Sequence, residues 1–205
     1  MLMKRLLQAL PAVALALFGL SSAVQTISAD TKISAVQSGQ IAAADAATRL
    51  LQRSSVNHSR EWIAVASVLS AEGPENDPVS IALLERALNA DPYHPTVWSL
   101  LAYLRVRHAN EFTEAAASAL REANQRCTLC NRAELKWRLT FTLSNWEQMP
   151  EDLRMSAFIG ADFLRWWYLE YDYLNQIRES AQALSIPFDE YRRKVNSPVR
   201  PNEIP

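Results

Sequence analysis

The chain has 205 residues, of which 49% are hydrophobic and 21% charged, a balance that fits one or two globular domains and excludes wholesale disorder. Lys plus Arg (21) nearly equals Asp plus Glu (22), so no cationic excess exists to displace counterions from phosphates, and nucleic acid is not an expected partner. Four glycines leave no Gly-rich loop for a nucleotide, and 30 alanines with prolines kept between or outside the apolar stretches point to helices joined by short turns.

The amino terminus reads as an address. Lys4 and Arg5 precede an apolar run from Leu6 to Leu20, and the small residues Ser21, Ser22 and Ala23 follow. This is the layout of a secretory signal over residues 1–29, with cleavage after Ala23 or after Ala29. An uncleaved anchor is the alternative, although polar Ser21, Ser22, Gln25 and Thr26 interrupt the run before the roughly 20 apolar residues of a spanning helix. Either reading places the remaining chain outside the cytoplasm, in the periplasm or exported, with any membrane contact made only through an uncleaved leader. No amino-terminal lipobox cysteine is present.

From Lys32, apolar positions Ile33, Val36, Ile41, Ala44, Thr48 and Leu51 predict one alanine-rich helix. After a polar break at 54–59, Trp62, Ala66 and Leu69 predict a second, stopped by Gly73-Pro74. Asp77-Pro78 starts a third with Ile81, Leu84 and Leu88 inside. Val97, Trp98, Leu101 and Leu104 predict a fourth, ending near Asn110, and Thr113 caps a fifth that carries Ala116, Leu120 and Ala123. Asn131 with Glu134 opens a sixth, lined by Leu135, Leu139, Leu143 and Trp146. Pro150 begins a segment from Leu153 through Ala157, Gly160, Leu164, Trp167 and Tyr171 to Leu174, one long helix or two bent near Gly160. Prolines 187, 198, 201 and 205 predict an extended tail over residues 186–205.

The spacing of Ala87, Pro92, Trp98, Leu101 and Ala102 resembles the tetratricopeptide repeat, in which a small residue and a turn proline close one helix pair and Trp-x-x-Leu-small opens the next. Ser80 and Leu84 fit the same frame, as do Ala116, Leu120 and Ala123 with one residue inserted near Asn110. The resemblance runs from Glu61 to Arg126 and departs from the pattern at Ala64, Arg105 and Thr128. It implies an all-α domain over residues 30–185, a right-handed stack of antiparallel pairs with about seven helices in all. A long aromatic-rich C-terminal helix would cover its end. It also implies a groove on the first helices of the pairs, and it places Trp62, Arg105 and His108 there as partner-binding residues.

Few residues suggest chemistry. Cys127 and Cys130 form one Cys-x-x-Cys, open to a local disulfide, to unpaired structural thiols or, less readily, to a redox or metal role. No histidine follows for haem attachment, and His58, His94 and His108 lie at no zinc spacing, so no cofactor or metal is expected. Adjacent carboxylates Glu151 and Asp152, or Glu170 and Asp172, read as helix-start charges or a solvated face before they read as an acid-base pair. No motif of nucleophilic or metal catalysis surrounds any of these groups, and a catalytic role is not expected.

The aromatic residues say more. Ten of the eighteen fall between Trp137 and Tyr173. Trp166-Trp167-Tyr168 cannot all face one core, so part of this surface either seals the stack or meets a partner, with Trp166, Trp167 and Tyr171 as the contacts and Arg165 and Arg178 beside them. The tail adds Arg192-Arg193-Lys194 and a short Pro198-Val199-Arg200-Pro201 segment. The expected function is a non-catalytic adaptor of the bacterial cell envelope that contacts another envelope protein. The alternative is a glycan-binding or accessory component of envelope polysaccharide synthesis or export, its aromatic rings stacking on sugars.

Overall fold

A computed structural model describes residues 28–52 and 59–196. The expected leader lies almost wholly outside these residues, as do His58 and the Pro198–Pro201 segment. The described residues form ten α-helices and no strand: α1 (28–37), α2 (Ala43–Leu51), α3 (Ser59–Glu72), α4 (Asp77–Ala90), α5 (Pro95–Ala109), α6 (Glu114–Arg126), α7 (Arg132–Ser144), α8 (Glu151–Trp166), α9 (Tyr171–Ala183) and α10 (Phe188–Asn196). Among them, none is long and apolar enough to cross a membrane.

The three helices beyond the expected seven have local causes. Gly39 adopts φ 73°, a left-handed turn that splits the first predicted helix into α1 and α2. The turn also resets the helical phase, so Ala43, Ala47 and Leu50 are buried in place of Ala44, Thr48 and Leu51. The long aromatic helix is likewise two, but the break is not at Gly160. Helix α8 runs straight through that residue, whose missing side chain lets α7 approach: a Cβ there would stand 3.1 Å from Cδ2 of Leu135. The chain turns instead at Trp167–Glu170, where Leu169 takes φ 55°.

The predicted extended tail is corrected over Phe188–Asn196, which form α10. Pro187 sits just before the helix, and its carbonyl accepts from Glu190 and Tyr191, so the ring starts a helix and does not prevent one. Phe188 and Tyr191 are buried and Val195 packs beside them, a stripe at helical spacing.

The chain divides into two compact units, one up to Asp91 and one from Pro92. In the first, α3 and α4 pack as a hairpin through a 3-10 turn at Pro74–Asn76, and α2 lies against them. The Arg86 guanidinium on α4 donates to the carbonyl of Leu51 at 2.8 Å. In the second, α5–α6 and α7–α8 are successive hairpins, followed by α9 and by α10 on α8. Thr113 caps α6 by accepting from Ala116, and Asn131 caps α7 by accepting from Glu134, as their sequence positions predict. Helices α4, α6 and α8 begin at Asp77, Glu114 and Glu151, and α5 and α7 at Pro95 and Arg132. With α3 beginning at Ser59, the helix pairs recur every 36 or 37 residues.

The deepest core of the second unit is aromatic. Trp146 meets Tyr191 edge-on with ring centres 4.8 Å apart, and Phe158 meets Phe188 at 5.0 Å. Leu135, Leu139 and Leu164 complete the same cluster.

Candidate functional site

A concavity of about 730 Å³ in the second unit opens between α5 and α7, the first helices of successive pairs. Each helix carries two stripes. On α5, Val97, Leu101 and Leu104 are buried, while Tyr103, Val106, Arg107 and Asn110 line the cleft. On α7, Leu135 and Leu139 are buried away from it, while Trp137, Thr140, Phe141, Leu143 and Ser144 line it from the other side, Phe141 and Leu143 being largely buried at its base. Tyr103, Val106, Arg107 and Asn110 follow i, i+3, i+4, i+7 spacing, as do Trp137, Thr140, Phe141 and Ser144, with Leu143 adjoining the second set. The turn after α7 adds Asn145, Glu147 and Gln148 to the rim, and Leu184 and Ile186 close one end.

The rings of the floor contact one another. Trp137 stacks on Phe141 with centres 4.8 Å apart and planes within 14°, Tyr103 meets Phe141 edge-on at 6.5 Å, and Arg107 lies over the Tyr103 ring at 5.2 Å. Gln148 accepts from the Phe112 amide at 2.6 Å, and Asn145 donates to the Phe141 carbonyl at 2.8 Å, so both rim amides are braced by backbone. Behind the rim, the Tyr173 hydroxyl donates to the Lys136 carbonyl at 2.9 Å and lies 3.0 Å from Thr140 Oγ1. Burial pushes this phenol above its ordinary pKa, against the opposing pull of Thr140, so it stays protonated as a donor. An apolar floor with polar groups around its edge can hold an extended chain by ring contact and hydrogen bonds.

A buried polar network joins α5, α6 and α7. Ser99 on α5 donates to Glu134 on α7, and Glu134 accepts from Arg138 at 2.9 Å. Arg138 also donates to the carbonyls of Cys127 (2.7 Å) and Ala123 (3.3 Å) and to the Asn124 side chain (2.9 Å). Burial lowers the Arg138 pKa and the Glu134 carboxylate opposes this, which keeps the guanidinium compensated. Cys127 and Cys130 are joined as a disulfide in the α6–α7 loop, with Cα atoms 5.4 Å apart, so this one arginine grips the loop that the bond closes.

The residues that the repeat resemblance assigned to a groove are not gathered into it. Trp62 is only 4% exposed and belongs to the core of the first unit, which corrects its expected role as a partner contact. On α3 the apolar stripe of Trp62, Val65, Ala66 and Leu69 faces inward, so the indole has no access to solvent. Arg105 is half-buried and donates to the Ala115 carbonyl at 2.7 Å, bracing α5 against α6. His108 is exposed one position beyond Arg107 and does not line the cleft. The cleft residues Tyr103, Arg107, Trp137 and Phe141 escaped the sequence reading, although an aromatic pair four apart on α7, outside the Leu135–Leu139–Leu143 stripe, is a signal of a second face.

The aromatic C-terminal contacts stand elsewhere, at the α8–α9 turn. Trp166 and Trp167 are 64% and 72% exposed, Leu169 and Tyr171 are exposed beside them, and Tyr168 is half-buried against Phe163. These indoles therefore do not seal the helical array. Glu170 anchors the turn: it is buried and pairs with Arg132 and Lys136 of α7. Asp172 is exposed on the following turn, so this carboxylate pair is split between core and solvent. The other pair is engaged in packing, Asp152 with Arg121 at 2.8 Å and Glu151 with the Tyr191 hydroxyl. Among the described residues, no group of three His, Cys, Asp or Glu side chains is placed to hold a metal ion. Set against family models, curated proteins and solved structures, the chain matches none of them.

Proposed function

We propose that the chain is a non-catalytic, tetratricopeptide-like adaptor of the bacterial envelope, and that its second unit holds an extended segment of another envelope protein between α5 and α7. The observation that carries this reading is the cleft itself, built from the first helices of two successive hairpins and floored by Tyr103, Trp137 and Phe141. The recurrence of helix pairs at 36 or 37 residues, slightly longer than the roughly 34 of the tetratricopeptide unit, supports a repeat architecture, and the repeat family places its peptide groove on those same helices. Export follows from the basic pair, apolar run and small residues of the leader. The cleft's rings and amides are held by contacts within the chain, which lowers the ordering cost that a partner strand meets on this side.

In vivo crosslinking followed by capture from the native envelope tests the proposal. An aromatic anchor at the centre of such a site contributes about 2 kcal/mol or more, so Trp137→Ala should lower recovery of the crosslinked partner about thirtyfold. Equal recovery with both proteins would refute the cleft as the contact.

The exposure of Trp166 and Trp167 favours a second reading, an envelope glycan-binding component whose rings stack on sugars. It predicts a fluorescence shift with envelope oligosaccharides that disappears in Trp166→Ala or Trp167→Ala while helical circular dichroism is unchanged. An unaltered emission spectrum on adding the oligosaccharides removes this reading.

A further inference from the structure

The α8–α9 turn carries a combination that packing does not explain. Trp166, Trp167 and Leu169 are all more than three-fifths exposed within four residues of chain. Leu169 moreover sits at φ 55°, a backbone conformation that favours glycine, yet its side chain gains no burial in return. The turn is held firmly in this shape. Glu170 is pinned by Arg132 and Lys136, its amide donates to the Leu164 carbonyl at 3.1 Å, and Trp167 stacks one face on Phe163 at 5.8 Å while the rest of the ring stays open. A strained, braced and outward-facing apolar tip is poised for an external apolar phase.

The charge beside this tip identifies the phase. Arg165, Trp166, Asp189, Arg192 and Arg193 surround one shallow hollow of about 460 Å³, and the Arg165 guanidinium lies 5.0 Å over the Trp166 ring. The Arg192 pKa is lowered first by burial and then by Arg165, with Arg178 adding to the repulsion and Asp189 and Asp162 opposing it. Four guanidinium groups thus share a neighbourhood with two carboxylates. Indole rings and a leucine at the tip, with Arg165 over the Trp166 ring and Arg193 lining the same hollow, match the chemistry of a bilayer boundary, where an apolar interface adjoins anionic headgroups.

We propose that the α8–α9 turn is an interfacial membrane-docking site, in which Trp166, Trp167 and Leu169 enter the headgroup boundary of an anionic bilayer and Arg165 and Arg193 meet its phosphates. This contact is separate from the amino-terminal leader and from the α5–α7 cleft. It would orient an adaptor on a membrane surface with one short turn as the point of entry.

The test uses the full chain and vesicles of phosphatidylcholine with or without phosphatidylglycerol. Accessibility of tryptophan to acrylamide is read before and after vesicle addition, with circular dichroism confirming that each variant is folded. Phosphatidylglycerol vesicles should shield the exposed tryptophans and shift their emission to the blue, and the double variant Trp166→Ala, Trp167→Ala should lose that change. Arg165→Gln with Arg193→Gln should lower the apparent vesicle affinity tenfold or more while leaving the indoles in place. Binding through the leader alone leaves Trp166 and Trp167 as accessible on vesicles as in buffer, and that outcome overturns the proposal. Equal shielding by neutral vesicles, or a response to envelope oligosaccharides with none to vesicles, overturns it as well.

Discussion

Arg138 shows how much of this molecule can rest on one side chain. Its guanidinium spans Glu134, Asn124 and the carbonyls of Ala123 in α6 and Cys127 in the loop after it, and Arg138 and Glu134 are both about 95% buried. Removing one member of such a pair leaves the other charged, dehydrated and uncompensated, which costs about 3–5 kcal/mol. Arg138→Ala is therefore expected to lower unfolding stability by about that amount in a urea titration. Glu134→Gln should cost less, because an amide still accepts from Arg138 and Ser99. If the two variants unfold at the wild-type midpoint, the network is not the brace described. Neither partner stood out in the sequence, where Glu134 read as half of a capping box; only the approach of α5 shows that its carboxylate turns inward to Ser99.

At the scale of elements, the hairpins are joined by exposed ion pairs as well as by apolar packing. Arg121 on α6 bridges Asp152 at the start of α8 and Glu114 on its own helix, each at 2.8 Å. The hydrogen bond from Arg121 holds the Asp152 carboxyl below its ordinary pKa against a smaller desolvation penalty. A depressed folded pKa contributes stability that is fully present above the unfolded value of about 3.9 and is lost as the pH falls through the folded value. Asp152→Asn should thus destabilise the protein at neutral pH by less than about 1 kcal/mol, since the pair is solvent-exposed. The difference from wild type should shrink in acid as Asp152 itself becomes protonated. Thermal unfolding from pH 7 down to pH 2 checks this, and a gap that widens in acid contradicts the assignment. Helix α10 belongs to the same scale: Phe188 and Tyr191 are buried in the aromatic core, so the last helix is part of the fold of the second unit.

At the scale of the whole molecule, each of the two compact units has its own buried set, and the second contains the cleft, the disulfide and the exposed aromatic turn. Residues 92–205 are therefore expected to fold by themselves. Produced alone, they should give a helical circular dichroism spectrum and a single cooperative melt. A fragment without a cooperative transition would show that the second core depends on the first unit.

The sequence by itself determined the helical class, the core stripes of α5 to α7 and of α8 as far as Leu164, though not its expected continuation through the exposed Trp167 and Tyr171, and the caps at Thr113 and Asn131. Those features depend on residues three or four apart, and that spacing is fixed by the chain. It also marked the exposed aromatic cluster, because three adjacent rings exceed what one helix face can bury. Tertiary structure decided the rest. Whether the second stripe of α5 and α7 becomes core or cleft depends on how closely the hairpins approach, where Ser99 meets Glu134 across 35 residues of chain and Arg138 meets Asn124 across 14. Trp62 was assigned to a groove by analogy and is buried, because the neighbours that cover a helix face are not its neighbours in sequence. The proline after Ile186 read as a helix breaker, yet the burial of Phe188 and Tyr191 against Trp146 and Phe158 stabilises the helix that it starts.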